Sequence, residues 1–295
     1  MKKYVSILGD SVSTLYGWNP KGYCVFYKGE NCERSGVKEY ADTWWGQLTD
    51  YLGANLLVND SWSGSRVTKL PNQNQLFPSG ISDERINNLE KKFKKPDLII
   101  VMLGDNDWGH GVSISGPDNL GDERNLYMFC DAYNLMLDKI KKRYPRAQVY
   151  CCTLFSTYMP QKPSFVFPKS LYGNSIESYN FAIKEIASQH QCEVIDLFAN
   201  YINIPTIDGS HPNKDGMVVI AKLIARRIMG DEVAHLDCQN NHQFVYVSGD
   251  LQTEGLMCSR CGKSVPLNYI QEEIIVVSMI APQLRNYNEE KWRKI

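Results

Sequence analysis

The sequence has no apolar run long enough to cross a bilayer, and neither sign of charge is in excess. Its 32 lysines and arginines stand against 33 aspartates and glutamates, for a formal net charge of −1. The first absence excludes a membrane-spanning helix. The second removes the general electrostatic case for nucleic acid or an anionic membrane as partner, so neither is expected. No signal peptide is expected either, because Met1-Lys2-Lys3 is followed by too short an apolar run before a polar turn. A cytoplasmic location is therefore expected, and with it reduced cysteines.

What is present is ordinary for a folded chain. A length of 295 residues, 43% of them hydrophobic and 22% charged, allows a sizeable core and suits one large domain plus a small one. The nine cysteines fall into two groups. Cys24, Cys32, Cys130, Cys151, Cys152 and Cys192 are scattered and are expected to be buried or free thiols, with Cys24 and Cys32 pairing only in an exported protein. Cys238, Cys258 and Cys261 cluster near the C-terminus.

Along the chain, apolar runs of strand length alternate with stretches of helical period. Tyr4-Val5-Ser6-Ile7-Leu8 reads as a strand that Gly9-Asp10-Ser11 breaks into a turn. The stretch 17–40, rich in aromatics and glycine and without a period, is long for a connection and reads as a structured insert. A helix over 41–52 and a strand over 54–58 follow, then the polar loop Asn59-Asp60-Ser61-Trp62-Ser63-Gly64-Ser65-Arg66. A helix is expected over 83–93. The unbroken apolar run within 97–103 has the look of a central parallel strand and ends in Gly104-Asp105-Asn106-Asp107-Trp108. Helices over 123–144 and 174–190 alternate with strands over 148–155 and 193–198. Thr206-Ile207-Asp208-Gly209-Ser210-His211-Pro212-Asn213 then precedes a last helix, striped by Met217, Ile220, Ala221, Ile224 and Ile228. Five strands alternating with helices predict an α/β, flavodoxin-like three-layer fold with a five-stranded parallel sheet. Gly230-Asp231 is the expected boundary, giving a domain over 1–230 and a small module over 231–295.

The polar clusters all follow strands, and in a parallel sheet those strand ends share one edge. Acyl transfer needs a serine, an imidazole to take its proton, a carboxylate to orient that imidazole, and donors for the oxyanion. Ser11, His211, Asp208, Gly64 and Asn106 supply these parts, and Asp208 lies three residues before His211 on one loop. Singly each has a plainer reading, as a turn serine, a loop glycine or a turn asparagine.

In sequence, Gly9-Asp10-Ser11, Gly64 within Ser61-Trp62-Ser63-Gly64, Gly104-Asp105-Asn106-Asp107 and Asp208-Gly209-Ser210-His211-Pro212 resemble the blocks of the SGNH (GDSL-like) hydrolases. The resemblance spans roughly residues 3 to 229, the length of one domain. It implies Ser11 as nucleophile, His211 as general base and acid, and Asp208 as the group orienting His211. It implies an oxyanion hole of the Ser11 N–H, the Gly64 N–H and the Asn106 amide. Asp10 and Asp107 are expected to support the loops. The implied activity is that of a serine ester hydrolase working through an acyl-serine intermediate, with no cofactor for catalysis and a small-molecule or carbohydrate ester as substrate. The aromatic loop Tyr16-Gly17-Trp18, and Trp108 as a substrate-binding residue, suit stacking on a sugar ring and favour an acetylated carbohydrate. The competing class is a catalytically idle binding protein of the same shape, docking a partner or glycan through its loops and the C-terminal module. Intact Ser11, Asn106, Asp208 and His211 argue against it.

Cys258-Ser259-Arg260-Cys261-Gly262 is a Cys-x₂-Cys-Gly knuckle that sets two thiolates on one metal. Cys238 with His242, or with His235 at the cleaner x₂ spacing, would supply the other half. The module resembles a zinc ribbon, which implies a structural zinc on Cys238, His242, Cys258 and Cys261, with 244–247 as a strand of the ribbon. A strand is also expected over 274–277.

Overall fold

The computed structural model describes residues 2–70, 77–115, 125–198, 203–230, 244–247, 255–258 and 264–266. The chain divides into two compact units, Met1–Glu232 and Val233–Ile295. The first is built on five parallel strands: β1 (Tyr4–Gly9), β2 (Asn55–Ser61), β3 (Leu98–Met102), β4 (Gln148–Cys152) and β5 (Glu193–Ile195), in the order β2-β1-β3-β4-β5. This is the doubly wound order, in which the connections run to opposite sides of β1 and β3. Among the described residues seven α-helices accompany them: α1 (Glu30–Ser35), α2 (Trp44–Tyr51), α3 (Asp83–Asn87), α4 (Asp105–Gly109), α5 (Phe129–Arg143), α6 (Ile176–Gln189) and α7 (Lys214–Met229).

Alternation along the strands sorts the core into two layers. Leu8, Ile99, Val101, Val149 and Cys151 face one way and join a single apolar cluster with side chains of α3, α5 and α6. Val5, Ile7 and Ile100 point to the opposite face and are just as deeply buried. Right-handed crossovers put α2 on that face, where it packs against α7. Helix α5 shows why such segments become helices here. Phe129, Ala132, Tyr133, Met136, Leu137 and Ile140 recur at helical spacing and are all buried, and Lys141, Lys142 and Arg143 complement its C-terminal dipole.

Two helices are shorter than their periodicity suggests, for tertiary reasons. The segment expected to be helical over 83–93 leaves the helix after Asn87, where carbonyls around its end accept from side chains distant in sequence. Tyr144 Oη donates to the Ile86 carbonyl at 2.7 Å, and Ser6 Oγ donates to the Leu89 carbonyl at 2.7 Å. Helix α5 begins at Phe129, well after residue 123, since the Phe129 and Cys130 N–H groups donate to the carbonyls of Ser113 and Ile114. Strand β4 likewise ends at Cys152, short of residue 155. Among the described residues no helix is long and apolar enough to cross a membrane.

The sheet register matters most for the site. Gly9 pairs with Ser61 of β2 on one side and with Met102 of β3 on the other. Three strands therefore finish level, and the loops after them start from one edge.

In the second unit, β6 (Phe244–Val247), β7 (Gly255–Cys258) and β8 (Ser264–Pro266) form an antiparallel sheet in the order β6-β7-β8. Cys258, at the end of β7, is buried. The other expected zinc ligands, Cys238, His242 and Cys261, the alternative His235, and the expected strand over 274–277 lie outside the described residues.

Candidate active site

Gly9 is the last residue of β1, and a Cβ there would sit 2.7 Å from Ser61 Oγ and 2.8 Å from Ser13 Oγ. Only glycine allows that approach. A 3₁₀ turn over Ser11–Ser13 follows, capped by the Asp10 side chain, whose Oδ1 accepts the Val12 N–H at 3.1 Å. Trp45 Nε1 and Asn59 Nδ2 both donate to the Ser13 carbonyl, at 2.9 and 2.8 Å, and fix the far end of the turn. Ser11 is its first residue, where a backbone N–H has no partner within the helix.

The loop before α7 brings up the other half. Asp208 Oδ1 accepts the N–H groups of Ser210 and His211, at 3.0 and 2.8 Å, while Oδ2 lies 2.8 Å from His211 Nδ1. A carboxylate only accepts, so Nδ1 carries the proton and Nε2 of the neutral ring is left as acceptor. That nitrogen is 2.9 Å from Ser11 Oγ. Burial raises the Asp208 carboxyl, but the hydrogen bonds from His211 and the two backbone amides outweigh it and hold Asp208 below the usual carboxylate range. It is thus an anion beside the imidazole over the neutral pH range.

Gly64, after β2, adopts φ +81°, a left-handed conformation suited to glycine. Asn106 lies on α4, after β3, and one hydrogen of its amide is donated to the Ser65 carbonyl at 3.0 Å. A primary amide has a second hydrogen to give. Asp107 works as a brace. Its carboxylate accepts the Val67 N–H at 2.8 Å, and the Thr68 N–H and hydroxyl at 3.1 and 2.7 Å, tying α4 to the loop that carries Gly64. Burial pushes the Asp107 carboxyl up even so. Asp10 is also buried, and desolvation, with the charge of Asp105 second, pushes its carboxyl up to about 8.

The structure brings together Ser11, Asp208 and His211 in one hydrogen-bonded line, with Gly64 on the loop after β2 and Asn106 on α4 after β3. Trp108 is different. Expected to touch substrate, it is 3% exposed, belongs to the core cluster, and donates its indole N–H to the Asn174 carbonyl at 3.0 Å. Helical spacing explains this, since two residues beyond Asn106 the side chain has turned from the site toward Phe167 and Asn174.

Several contributors have no motif to mark them. Phe26, from the insert, stacks on the His211 ring, and Tyr27 Oη donates to the Pro212 carbonyl at 2.8 Å. Ser210 Oγ donates to Asp105 at 3.2 Å, joining the His211 loop to α4. Arg85, fully buried, lies beneath the turn. The insert's length and aromatic content were a signal for Phe26 and Tyr27. An arginine inside a helical segment gives none.

Such an arrangement can raise the nucleophilicity of a serine and hold charge on an oxygen bound to the attacked carbon. The family model for GDSL-like lipases and acylhydrolases matches residues 3–228. No curated protein matches the chain. Among solved structures it is similar to a protein assigned to the GDSL-like lipases from Bacteroides uniformis, with 28% identity, a TM-score of 0.59, and 79% of this chain and 96% of that one covered. It is also similar to one from Bacteroides ovatus, with 25% identity, a TM-score of 0.59 and coverage of 78% and 99%. An active-site mutant of a family two carbohydrate esterase from Clostridium thermocellum shares the fold, with 13% identity, a TM-score of 0.51 and coverage of 78% and 64%.

Proposed function

The chain belongs to the GDSL-like lipase/acylhydrolase family and is a hydrolase, and we propose that it cleaves carboxylic esters through an acyl-Ser11 intermediate. The observation that carries this reading is the hydrogen-bonded line from Asp208 through His211 to Ser11 Oγ, with links of 2.8 and 2.9 Å. Ser11 Oγ attacks the ester carbonyl carbon while His211 Nε2 takes its proton. The carbonyl oxygen becomes an oxyanion and is met by the Ser11 N–H, the Gly64 N–H and the second hydrogen of Asn106 Nδ2. Asp208 stabilises the imidazolium without taking its proton. When the carbon–oxygen bond to the alcohol breaks, His211 gives the proton to the departing oxygen. Water then attacks the acyl-serine as His211 takes a proton again, and the carboxylic acid leaves with Ser11 restored.

For the substrate, we favour an acetylated carbohydrate. Tyr16, 75% exposed just before the insert, and Trp18, 45% exposed on it, support this by offering flat apolar faces of the kind sugar rings stack on. The small antiparallel sheet is proposed to be held by a structural zinc on Cys238, His242, Cys258 and Cys261, a donor set suited to that ion and closed to catalysis.

The test is turnover of a chromogenic acetate ester, followed by a panel of acetylated sugars against short lipid esters. Ser11→Ala is expected to abolish turnover and to prevent labelling by a fluorophosphonate. Turnover that survives Ser11→Ala sinks the acyl-serine reading, and preference for the lipid esters sinks the carbohydrate assignment.

A further inference from the structure

Arg85 is the residue whose surroundings the reaction does not yet use. It projects from α3 with a fully buried side chain and its donors are aimed at three separate segments. Nε donates to Asp60 Oδ1 at 2.7 Å, and Nη2 to the Asp60 carbonyl at 2.7 Å, gripping the end of β2. Nη2 also donates to the Gly9 carbonyl at 2.8 Å, at the end of β1. Nη1 donates to Ser65 Oγ at 3.0 Å. Ser65 Oγ in turn donates to the Gly9 carbonyl at 3.3 Å, and the Ser65 carbonyl accepts Asn106 Nδ2 at 3.0 Å.

These contacts meet at the three groups assigned to the oxyanion. The Ser11 N–H lies two residues beyond Gly9, the Gly64 N–H lies one residue before Ser65, and the Asn106 amide rests on the Ser65 carbonyl. One planar guanidinium thus references all three to the same rigid fork. Its burial is costly, and a buried ion pair is weak grounds for stability, since apolar residues of similar size often do as well or better. Asp60 offsets the charge and receives Tyr23 Oη on its second oxygen at 3.1 Å. What a fork of fixed geometry supplies, and an apolar pair does not, is register between loops.

We propose that Arg85, acting through Ser65, is a positioning residue that sets the spacing of the oxyanion donors. The proposal rests on the acyl-Ser11 reading above. Oxyanion donors act only if they stand where the transition-state oxygen will be, so loss of their spacing lowers kcat and leaves substrate binding alone.

The experiment compares wild type, Arg85→Lys and Ser65→Ala on a chromogenic acetate ester, with Ser11→Ala as control. Each variant is also titrated with a simple alkyl boronic acid, which forms a tetrahedral adduct on an active-site serine. Folding is checked by circular dichroism and melting. Folded Arg85→Lys and Ser65→Ala are expected to keep the wild-type KM and to lose about 10- to 100-fold in kcat, the scale seen when a reacting geometry is displaced. Boronate affinity should fall in parallel. Wild-type kcat in the folded variants, or a loss confined to KM, overturns the proposal while Ser11→Ala is still dead. Turnover that survives Ser11→Ala overturns this proposal together with the reading beneath it. Should Arg85→Lys fail to fold, Ser65→Ala decides, because it removes one hydroxyl and leaves the Arg85–Asp60 pair intact.

Discussion

The phenyl ring of Phe26 lies flat on the imidazole of His211, with ring centroids 3.4 Å apart and planes inclined by 6°. Asp208 and Ser11 hold the imidazole at its two edges, and Phe26 holds its face. The same insert reaches the turn of Ser11 as well. The Phe26 N–H donates to Thr14 Oγ1 at 2.9 Å, and that hydroxyl donates to the Ser11 carbonyl at 2.9 Å. One short segment therefore keeps the serine turn and the histidine loop in mutual register.

Phe26→Ala is expected to lower kcat/KM on an acetate ester by roughly 10-fold, as orientation of the base is relaxed. Phe26→Leu, which fills the space without a flat face, should fall between the two. Initial-rate measurements check this, and an alanine variant at the wild-type kcat/KM would remove the orienting role.

Asn106→Ala should be costlier. Removing one oxyanion donor typically reduces transition-state stabilisation by about 2.7–4 kcal/mol, or about 10²- to 10³-fold in kcat. Here the variant also frees the Ser65 carbonyl from its 3.0 Å partner. Steady-state kinetics with unchanged melting behaviour would locate the loss in the reaction, and a loss below tenfold would speak against Asn106 as a donor.

Asp10 predicts an alkaline weakness. Its folded carboxyl is raised to about 8 by burial, with Asp105 adding to the rise, against an ordinary value of 3.8. Between those values the folded chain keeps a proton that the unfolded chain releases, so stability is fully present below about 4 and is lost as pH climbs to about 8. Asp10→Asn keeps an oxygen for the Val12 N–H and has no charge to bury. Its melting temperature should gain on wild type progressively from pH 5 to pH 8 and then run parallel, a comparison made by thermal melts across that range. Asp105→Asn, by removing the neighbouring charge, should end the window at lower pH. A constant difference at every pH would refute the assignment.

Zinc on the second unit is tested by metal analysis of the purified chain. About one equivalent is expected, and Cys258→Ser or a chelator should release it and lower the stability of that unit. Ester turnover should continue, because no metal takes part in the proposed chemistry. A metal-free wild-type chain, prepared without chelator, would remove the zinc.

The sheet and most of its helices could be read from the chain because their signals are local. The apolar run of β3, the stripe on α5, and polar turns after the strands each lie within a dozen residues. The same holds for Asp208 and His211, whose geometry is set three positions apart. Arg85 could not be read, since its partner Gly9 is 76 residues away and an arginine on a helix is ordinarily solvated. The early end of α3 has the same origin, in donors from Ser6 and Tyr144 that only the assembled fold supplies. Trp108 shows the converse. Its neighbourhood in sequence pointed to the site, while the turn of α4 carried it into the core.

Ser11 and His211 are separated by 200 residues, and the hydrogen bond between them closes the first unit from its first strand to the loop before its last helix. At ordinary elongation speeds of about 5–20 residues per second, Ser11 is added to the chain roughly 10–40 s before His211. A nascent chain meanwhile carries an unassisted hydroxyl, which is a weak nucleophile. On the proposed mechanism any product of premature termination before His211 shares that inertness, and reactivity begins only once the whole domain has been synthesised and closed.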